Sequence, residues 1–588
     1  MKKLKLLFCS TLLVLSSPLS FGQNFLWGKM SSEADLKGDI TTAVATDNRE
    51  VSFGNAYIAG QFDLTLIFNT DTLTADDLSA YTVKYNSMGN VQWAKEINSN
   101  NGISCANSIT TDLFENVYIA GKFSGNVQAD TCNFYGPANQ YNSDLFLVKY
   151  NSFTGNVIWA KQSILPSSQL NSLGVGCSVA TDKSGNIFVS GYFQDTITIG
   201  GFTLNSIYST NYVNPICDAF LVKYDSSGNV LWAKQSAIPS SHSSLLFDGI
   251  LTHCSVSVDN LGNSYITGSF YDTISFGSYM LVSDTGYSGF LVKYSPGGNV
   301  LWAKKQSSES KNGACIPYGI TIDKANNTYI TGYFQDTVKF GPVSSYSPNG
   351  NPCVFLIKYD TNGKFVWGQQ SSQNWTGTAL ACDTDNHIYL TGYTQTQYID
   401  SIKFGNFPLY TIPSSLTACF LLKFDTAGYP ICGAMLNNLR GGGGNGVASD
   451  YTGNFIYTAS TVFSGDTVYF WPDTLSSSYE GPNTFLARWS PTCDSGLGID
   501  NLHSQNANLF VYPNPSNGQF TIKSSVDSGQ SSVEIYNMLG EKVFTRSINN
   551  SQDLTTFDLS NNSNGIYLYR VISETGQLIG DGKLIIQK

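Results

Sequence analysis

The sequence predicts an all-β protein, a seven-bladed β-propeller followed by a small immunoglobulin-like β-sandwich. Three observations predict it. A unit of 65–74 residues recurs seven times. Beyond a 22-residue leader, the chain begins on the one strand that its seventh copy lacks. After residue 508 the repeat gives way to short alternating runs of a different composition.

The unit is clearest between Asp182 and Gln235. It reads Asp182-Lys-Ser-Gly185-Asn186-Ile-Phe-Val-Ser-Gly191-Tyr-Phe, a variable segment, then Ala219-Phe-Leu-Val-Lys223-Tyr224-Asp-Ser-Ser-Gly228-Asn229-Val-Leu-Trp232-Ala-Lys234-Gln235. The aromatic closing the second run falls at Tyr85, Tyr150, Tyr224, Tyr294, Tyr359, Phe424 and Trp489, with spacings of 65, 74, 70, 65, 65 and 65. Fixed periods of this kind mark a repeat architecture. Each copy reads as four short strands. Strand A ends at an Asp (Asp47, Asp112, Asp182, Asp259, Asp323, Asp383, Asp450), B is the Gly-containing run, C carries the Lys-aromatic pair and D the Trp. Four strands joined by turns form one antiparallel sheet, and radial stacking of such sheets gives a propeller.

The ends of the array favour closure. Residues Phe25 to Lys29 form a D strand with no A, B or C before it, and the seventh copy stops after its C strand, Phe485 to Trp489. An N-terminal strand that closes the last blade removes the open edge a linear stack would leave. The linear stack is the alternative.

In chain order, Lys2, Lys3 and Lys5 precede the apolar run Leu6 to Leu15, and Ser20-Phe21-Gly22 ends it. That reads as a secretory signal peptide over 1–22. No later stretch reaches 18 apolar residues, so no membrane helix is expected. Residues 23–490 hold the propeller, 491–508 a polar linker with Gly496 and Gly498, and 509–588 the sandwich. The net charge of −11 argues against nucleic acid or an anionic membrane as the main partner.

The recurring residues have structural explanations. The Asp-x-x-Gly-Asn links suit tight turns, in which Asp caps through its side chain and Gly takes positive φ. Calcium is the sharper reading of so many Asp residues, but one Asp per turn lacks the density of a calcium loop. The strand B Gly (Gly60, Gly121, Gly191, Gly268, Gly332, Gly392; Ala459 in the seventh copy) suits close approach of a neighbouring side chain. Seven of the nine Trp sit at repeat positions and read as core, leaving Trp375 in a D-to-A connection and Trp471 in a B-to-C segment.

Catalytic apparatus is thin. The four His residues (His242, His253, His387, His503) form no metal or hydrolase motif, and there is no Cys-x-x-Cys. Gly441, Gly443 and Gly446 match Gly-x-Gly-x-x-Gly only formally, because the run leads into a strand and not a helix. No cofactor or metal is expected, and an enzyme is disfavoured. Cysteine positions in an exported chain suggest Cys177 with Cys217, Cys315 with Cys353, and Cys382 with Cys419. Cys105 with Cys132 and Cys432 with Cys493 would complete the set and leave Cys254 free.

The Asp-x-x-Gly-Asn-x-Tyr-Ile-Thr-Gly units resemble the SBBP-type beta-propeller repeats of secreted bacterial proteins over about residues 25–490, a family that implies no single activity. The C-terminal run carries Tyr512, Pro513, Asn514, Pro515, Gly518, Gly540, Asp558, Gly565, Tyr567, Lys583 and Lys588 in order. It resembles the type A C-terminal sorting domain of the type IX (Por) secretion system. That resemblance implies periplasmic passage, recognition by the type IX translocon and its C-terminal signal peptidase, and a secreted or surface-held product. The propeller would be the cargo.

For the cargo the expectation is a glycan- or protein-binding module. The alternatives are a glycosidase- or lyase-type enzyme with its acid and base on different blades, or a structural surface component without a discrete ligand. The A-to-B and C-to-D links are uniformly tight, whereas the B-to-C and D-to-A links are long and dissimilar, so a ligand is expected at the latter end. The candidate ligand residues there are Trp375, Trp471, His242, Asp248 and Arg440.

Overall fold

A computed structural model describes residues 25–588 apart from 34–38, 48–53, 70, 139–141, 166–173, 207–216, 238–253, 284–285, 311–312, 396–400, 406, 411–416, 440–443, 451, 463–466, 471–472, 477–482, 491–508, 513–515, 525–529, 538–540, 550–554 and 574–577. The described residues are all-β, with one 3-10 turn at Pro348–Gly350. The chain divides into two compact units, 1–495 and 496–588. The expected signal peptide and the expected linker lie outside the described residues.

In the first unit each copy folds as an antiparallel ladder in the order A–B–C–D. The third copy has Gly174–Thr181, Ile187–Phe193, Asp218–Tyr224 and Val230–Gln235. One rung crosses it as Val179, Val189, Val222 and Ala233. Strands B and C are buried along most of their length, as in Ser264–Phe270 and Asp218–Tyr224, because sheets pack on both of their faces. Such strands read as apolar runs without alternation. In the seventh copy the outer strand is Phe25–Met30, paired antiparallel with Asn483–Trp489 from Phe25 opposite Trp489 to Met30 opposite Phe485.

The residues that recur in the sequence tie each copy to the next. The D-strand indole NH donates to a carbonyl in the next copy's C-to-D turn: Trp93 to Ser152 at 2.9 Å, Trp159 to Ser226 at 3.1 Å, Trp232 to Pro296 at 3.0 Å. The strand C Lys donates to that same carbonyl, as Lys84 does to Ser152 and Lys149 to Ser226. Each indole also lies on the turn glycine. A Cβ at Gly228, whose φ is +81°, would meet the Trp159 ring at 3.2 Å. Trp27, Trp159, Trp232, Trp302 and Trp367 are therefore half-buried links between copies, whereas Trp93 and Trp489 are buried.

The junction between copies seven and one uses the same contacts. Thr181 donates to the Thr111 carbonyl, Thr111 to Thr46 and Thr46 to Ser449. Trp27 and Arg488 both donate to the Ser87 carbonyl. Val44, Ala56 and Tyr81 share one buried cluster with Tyr457, Ala459 and Leu486.

The B-to-C segments depart from their reading as free variable loops. Each carries a short strand pair that hydrogen-bonds to the preceding copy's D strand. Thr196–Ile199 and Phe202–Asn205 form one such hairpin, with Ser163 opposite Ile199. The same pairing joins Gln306 to Phe340, Ser371 to Phe404 and Asn437 to Tyr469. Ser32–Glu33, next after the N-terminal strand, pairs in this way with Thr65–Phe68. These bonds extend several ladders by a strand pair, and among the described residues no sheet closes on itself. Gln370–Gly377 is likewise not a loop, since Phe365–Gln373 runs almost directly into Trp375–Cys382.

The three expected disulfides are corrected. Cys177, Cys217, Cys315, Cys353, Cys382 and Cys419 are all free thiols, as are Cys105, Cys132 and Cys254. Strand B lies between A and C, and Cys315 and Cys353 flank the same Phe334 from opposite sides. Two strand spacings of about 4.8 Å exceed the about 7 Å Cα limit of a disulfide. Cys432 is disulfide-bonded, and its expected partner Cys493 lies outside the described residues. Cys432 stands where other copies carry the D-strand Trp.

The second unit pairs Leu509–Tyr512, Gln519–Ser524 and Thr555–Asp558 in one sheet. Lys542–Asn549, Gln530–Tyr536, Gly565–Ser573 and Leu578–Ile586 form the other, in that order. Phe520, Val533, Ile535, Phe557, Tyr569 and Leu584 fill its core. Several motif residues hold turns here. Gly518 has φ +113° and lies against Ser560, where a Cβ would come within 2.6 Å of its Cα. Asp558 caps the Ser560 amide at 2.7 Å, Tyr567 donates to the Ser563 carbonyl and Lys588 to that of Asn562. Pro513, Asn514, Pro515 and Gly540 lie outside the described residues.

Candidate binding site

A cavity of about 630 Å³ is lined by strand A of all seven copies, from Ile40–Val44 round to Asn445–Val447. What shapes its wall is a β-bulge that recurs in strand A. The register slips between Thr41 and Ala43, Ala106 and Ser108, Gly176 and Ser178, Pro317 and Gly319, Gly377 and Ala379, and Gly444 and Gly446. A bulge adds one residue and re-aims its side chain. The extra residues are Thr42, Asn107, Cys177, Tyr318, Thr378 and Asn445, and all of them line the cavity.

The strand B glycine makes room for this bulge. A Cβ at Gly191 would lie 1.9 Å from the Val175 carbonyl oxygen and 2.7 Å from the Phe220 ring. At Gly60, Gly121, Gly332 and Gly392 the obstructing atom is again a strand A carbonyl. The close approach expected from the sequence is therefore made chiefly by backbone.

The bulge side chains also bond from copy to copy. Thr42 donates to the Ala106 carbonyl at 2.6 Å and Asn107 to Gly176 at 2.8 Å. Thr378 donates to Gly444 and Asn445 to Thr41, and in the fourth copy Ser255, regularly paired with no bulge, donates to the Tyr318 carbonyl. Their donors are committed to structure. Tyr318 instead packs on Tyr333, with ring centroids 5.8 Å apart.

The residue after the strand B glycine supplies the cavity's distinctive chemistry. It is Lys122 in the second copy, Tyr192 in the third, Tyr333 in the fifth and Tyr393 in the sixth. Lys122, Tyr192, Tyr318 and Tyr393 line the cavity, and Lys122 is the one ionic side chain in that lining. All four are half-buried. Burial raises the phenols of Tyr192, Tyr318 and Tyr333 above the ordinary tyrosine value, which keeps them protonated as hydrogen-bond donors.

The turn Asp residues sit at the A-to-B ends and are saturated. Asp259 Oδ1 accepts the Leu261 and Asn263 amides, while Oδ2 accepts the Asn263 side chain at 2.8 Å and the Tyr265 hydroxyl at 3.0 Å. Lys293 lies 3.5 Å from the same oxygen. Asp112, Asp182, Asp323 and Asp383 repeat this turn capping, the role expected from the sequence.

Of the candidate ligand residues, Trp375 is corrected. It is fully buried at the start of a strand A, with its ring 4.5 Å from that of Phe420, because the D-to-A connection is a single residue there. Trp471, His242, Asp248 and Arg440 lie outside the described residues. The sequence reading missed Lys122 and the tyrosines. The available signal was a position one past the repeat glycine that changes identity while its neighbours do not.

Comparison with known proteins assigns the second unit. Residues 510–587 match the secretion system C-terminal sorting domain family. The chain is thus exported through type IX secretion to the cell surface or extracellular space, and it interacts with that machinery. Among the described residues no helix is long and apolar enough to cross a membrane. Over 429 residues the chain is 25% identical to an uncharacterized WD repeat-containing protein of Acanthamoeba polyphaga mimivirus. That match takes in 62% of this chain but only 30% of the relative's length. Similar solved structures include a fungal alcohol oxidase in complex with copper, at 11% identity and TM-score 0.35, covering 96% of this chain and 100% of that one. Another is a DUF4221 family member of Bacteroides vulgatus, at 10% identity and TM-score 0.30, covering 71% and 99%. Likenesses this remote carry no argument about activity.

Proposed function

We propose that the seven ladders are the blades of one closed propeller, closed by the N-terminal strand, and that type IX secretion delivers this propeller as a binding module. The 23–490 propeller is the cargo and the sandwich from 509, immunoglobulin-like in its strand count, the address. Ring closure is supported by the copy-seven to copy-one bonds, which repeat those of the internal junctions. A relative named for WD repeats fits the same reading, since such repeats form four-stranded propeller blades. The observation that carries the binding role is the central cavity, walled by backbone bulges on a rigid scaffold and bearing an ammonium group and several phenols. Hydrolysis by a paired acid and base would need two facing carboxylates. The described lining presents an ammonium group, hydroxyls and phenols in place of such a pair.

Two measurements test this. Deleting residues 509–588 is expected to leave a folded protein retained in the periplasm; normal surface delivery would overturn the address. A glycan and surface-protein array probed with the full exported chain is expected to give saturable binding. Absence of binding to every array member would sink the binding role and favour a structural surface component.

A further inference from the structure

We propose that the central cavity takes a carboxylated sugar, with its carboxylate held by Lys122 and its ring and hydroxyls met by Tyr192, Tyr318 and Tyr393. This rests on the binding-module reading and names the ligand class of that site.

The charge pattern is the first ground. The chain carries a net −11, yet the described lining of its central cavity holds one cation and no anion. Lys122 makes no side-chain hydrogen bond or ion pair among the described residues. The strand C lysines elsewhere in the repeat are by contrast tied to Asp and to carbonyls, as Lys293 is to Asp259 and to Thr361. A half-buried ammonium left without a partner is costly unless something arrives to pair it. The repeat shows the position can do without it, since the residue after the strand B glycine is Gln61 in the first copy and Ser269 in the fourth.

The second ground is the rest of the wall. Ser178 and Thr376 give hydroxyls beside the three phenols. A tyrosine offers a ring face for the apolar side of a sugar and an OH that both donates and accepts. The cavity's 630 Å³ falls within the about 300–1,000 Å³ of small-molecule sites. A bare inorganic anion would use Lys122 but not the tyrosines. A neutral sugar would use the tyrosines but leave Lys122 unpaired. A uronic acid uses both.

The test is calorimetric titration of the full exported chain and its K122Q and K122R variants with D-glucuronate, D-galacturonate, D-glucose, D-galactose and acetate. At least one uronate is expected to bind about tenfold or more tighter than its neutral parent, as a charge-assisted contact implies. K122Q is expected to erase that preference and K122R to keep most of it, with unchanged melting of both variants. Equal affinity for uronate and parent sugar overturns the inference while leaving a sugar-binding module. So does an unaltered preference in K122Q, or acetate binding as tightly as the uronates. Array ligands that bind elsewhere while no sugar enters this cavity overturn it too. Silence of both the titrations and the array removes the binding-module reading itself.

Discussion

The two regions along strand A are built on opposite terms. At the tight-turn end the repeated Asp, Lys, Trp and Gly are all used up: Asp323 caps its own turn, and Lys358 and Trp367 both donate to the Thr426 carbonyl. Further along, in the cavity, the side chain one past the strand B glycine differs from copy to copy and has chemistry to spare. Lys122 and Tyr192 occupy equivalent positions and share no structural duty. In a repeat protein, what recurs holds the copies together, and what breaks the pattern is free to meet something else.

The comparison can be broken most decisively by a residue on the structural side that looked functional. Trp375→Ala is expected to cost about 3–5 kcal/mol in urea unfolding, since it empties a fully buried site beside Phe420. A change below about 0.5 kcal/mol would return Trp375 to the candidate ligand residues. Next, Asp323→Ala is expected to cost about 3 kcal/mol by leaving the Tyr329 hydroxyl and the Asn327 groups without their acceptor and Lys358 without its ion-pair partner. Its effect on ligand affinity should be nil at temperatures where the variant stays folded.

A pH series sharpens the structural side further. Burial pushes the Asp144 carboxyl up to about 7 and that of Asp218 up to about 6, partly offset by hydroxyl donors from Ser163 and Ser236. Raised folded values mean the native state holds these protons longer than the unfolded chain does. Their stabilising contribution is present below the ordinary value of 3.8 and is lost as pH climbs towards about 6–7. The melting temperature should therefore fall between about pH 4 and 7, and Asp144→Asn should flatten that slope. A slope unchanged in the variant would clear Asp144. The smallest effect belongs to the cavity. Lys122→Gln should cost less than about 0.5 kcal/mol of stability, because it breaks no protein bond among the described residues. A larger loss would place Lys122 on the structural side.

How much of this was legible in the chain depends on distance. Seven copies, four strands in each, the turn Asp and the N-terminal strand as partner of the last copy could all be read. They follow from spacing and local turn chemistry, and the pairing of Phe25–Met30 with Asn483–Trp489 bears out the last of them. The sorting segment was legible because its order of motif residues extends to the end of the chain. The failures are all lateral. The Cys315–Cys353 pairing ignored that strand B separates A from C, a fact of sheet order and not of sequence spacing. The B-to-C segments looked like free loops because their hairpins bond to another copy's edge, some 30–40 residues away in sequence, as Ser163 does to Ile199. Trp375 reads as a loop residue, either a ligand contact or a buried satellite, because nothing local marks a one-residue connection between two strands.

By itself, then, the sequence determined what local backbone chemistry can dictate: strands, turns, repeat number and destination. Only tertiary structure decided which side chains of seven separate copies meet. A bulge opposite a glycine turns Asn107, Tyr318 and Asn445 inward, where residues more than a hundred positions apart come to share one cavity. That convergence has no signature within any one copy, because each contributes only a few residues to a wall drawn from all seven.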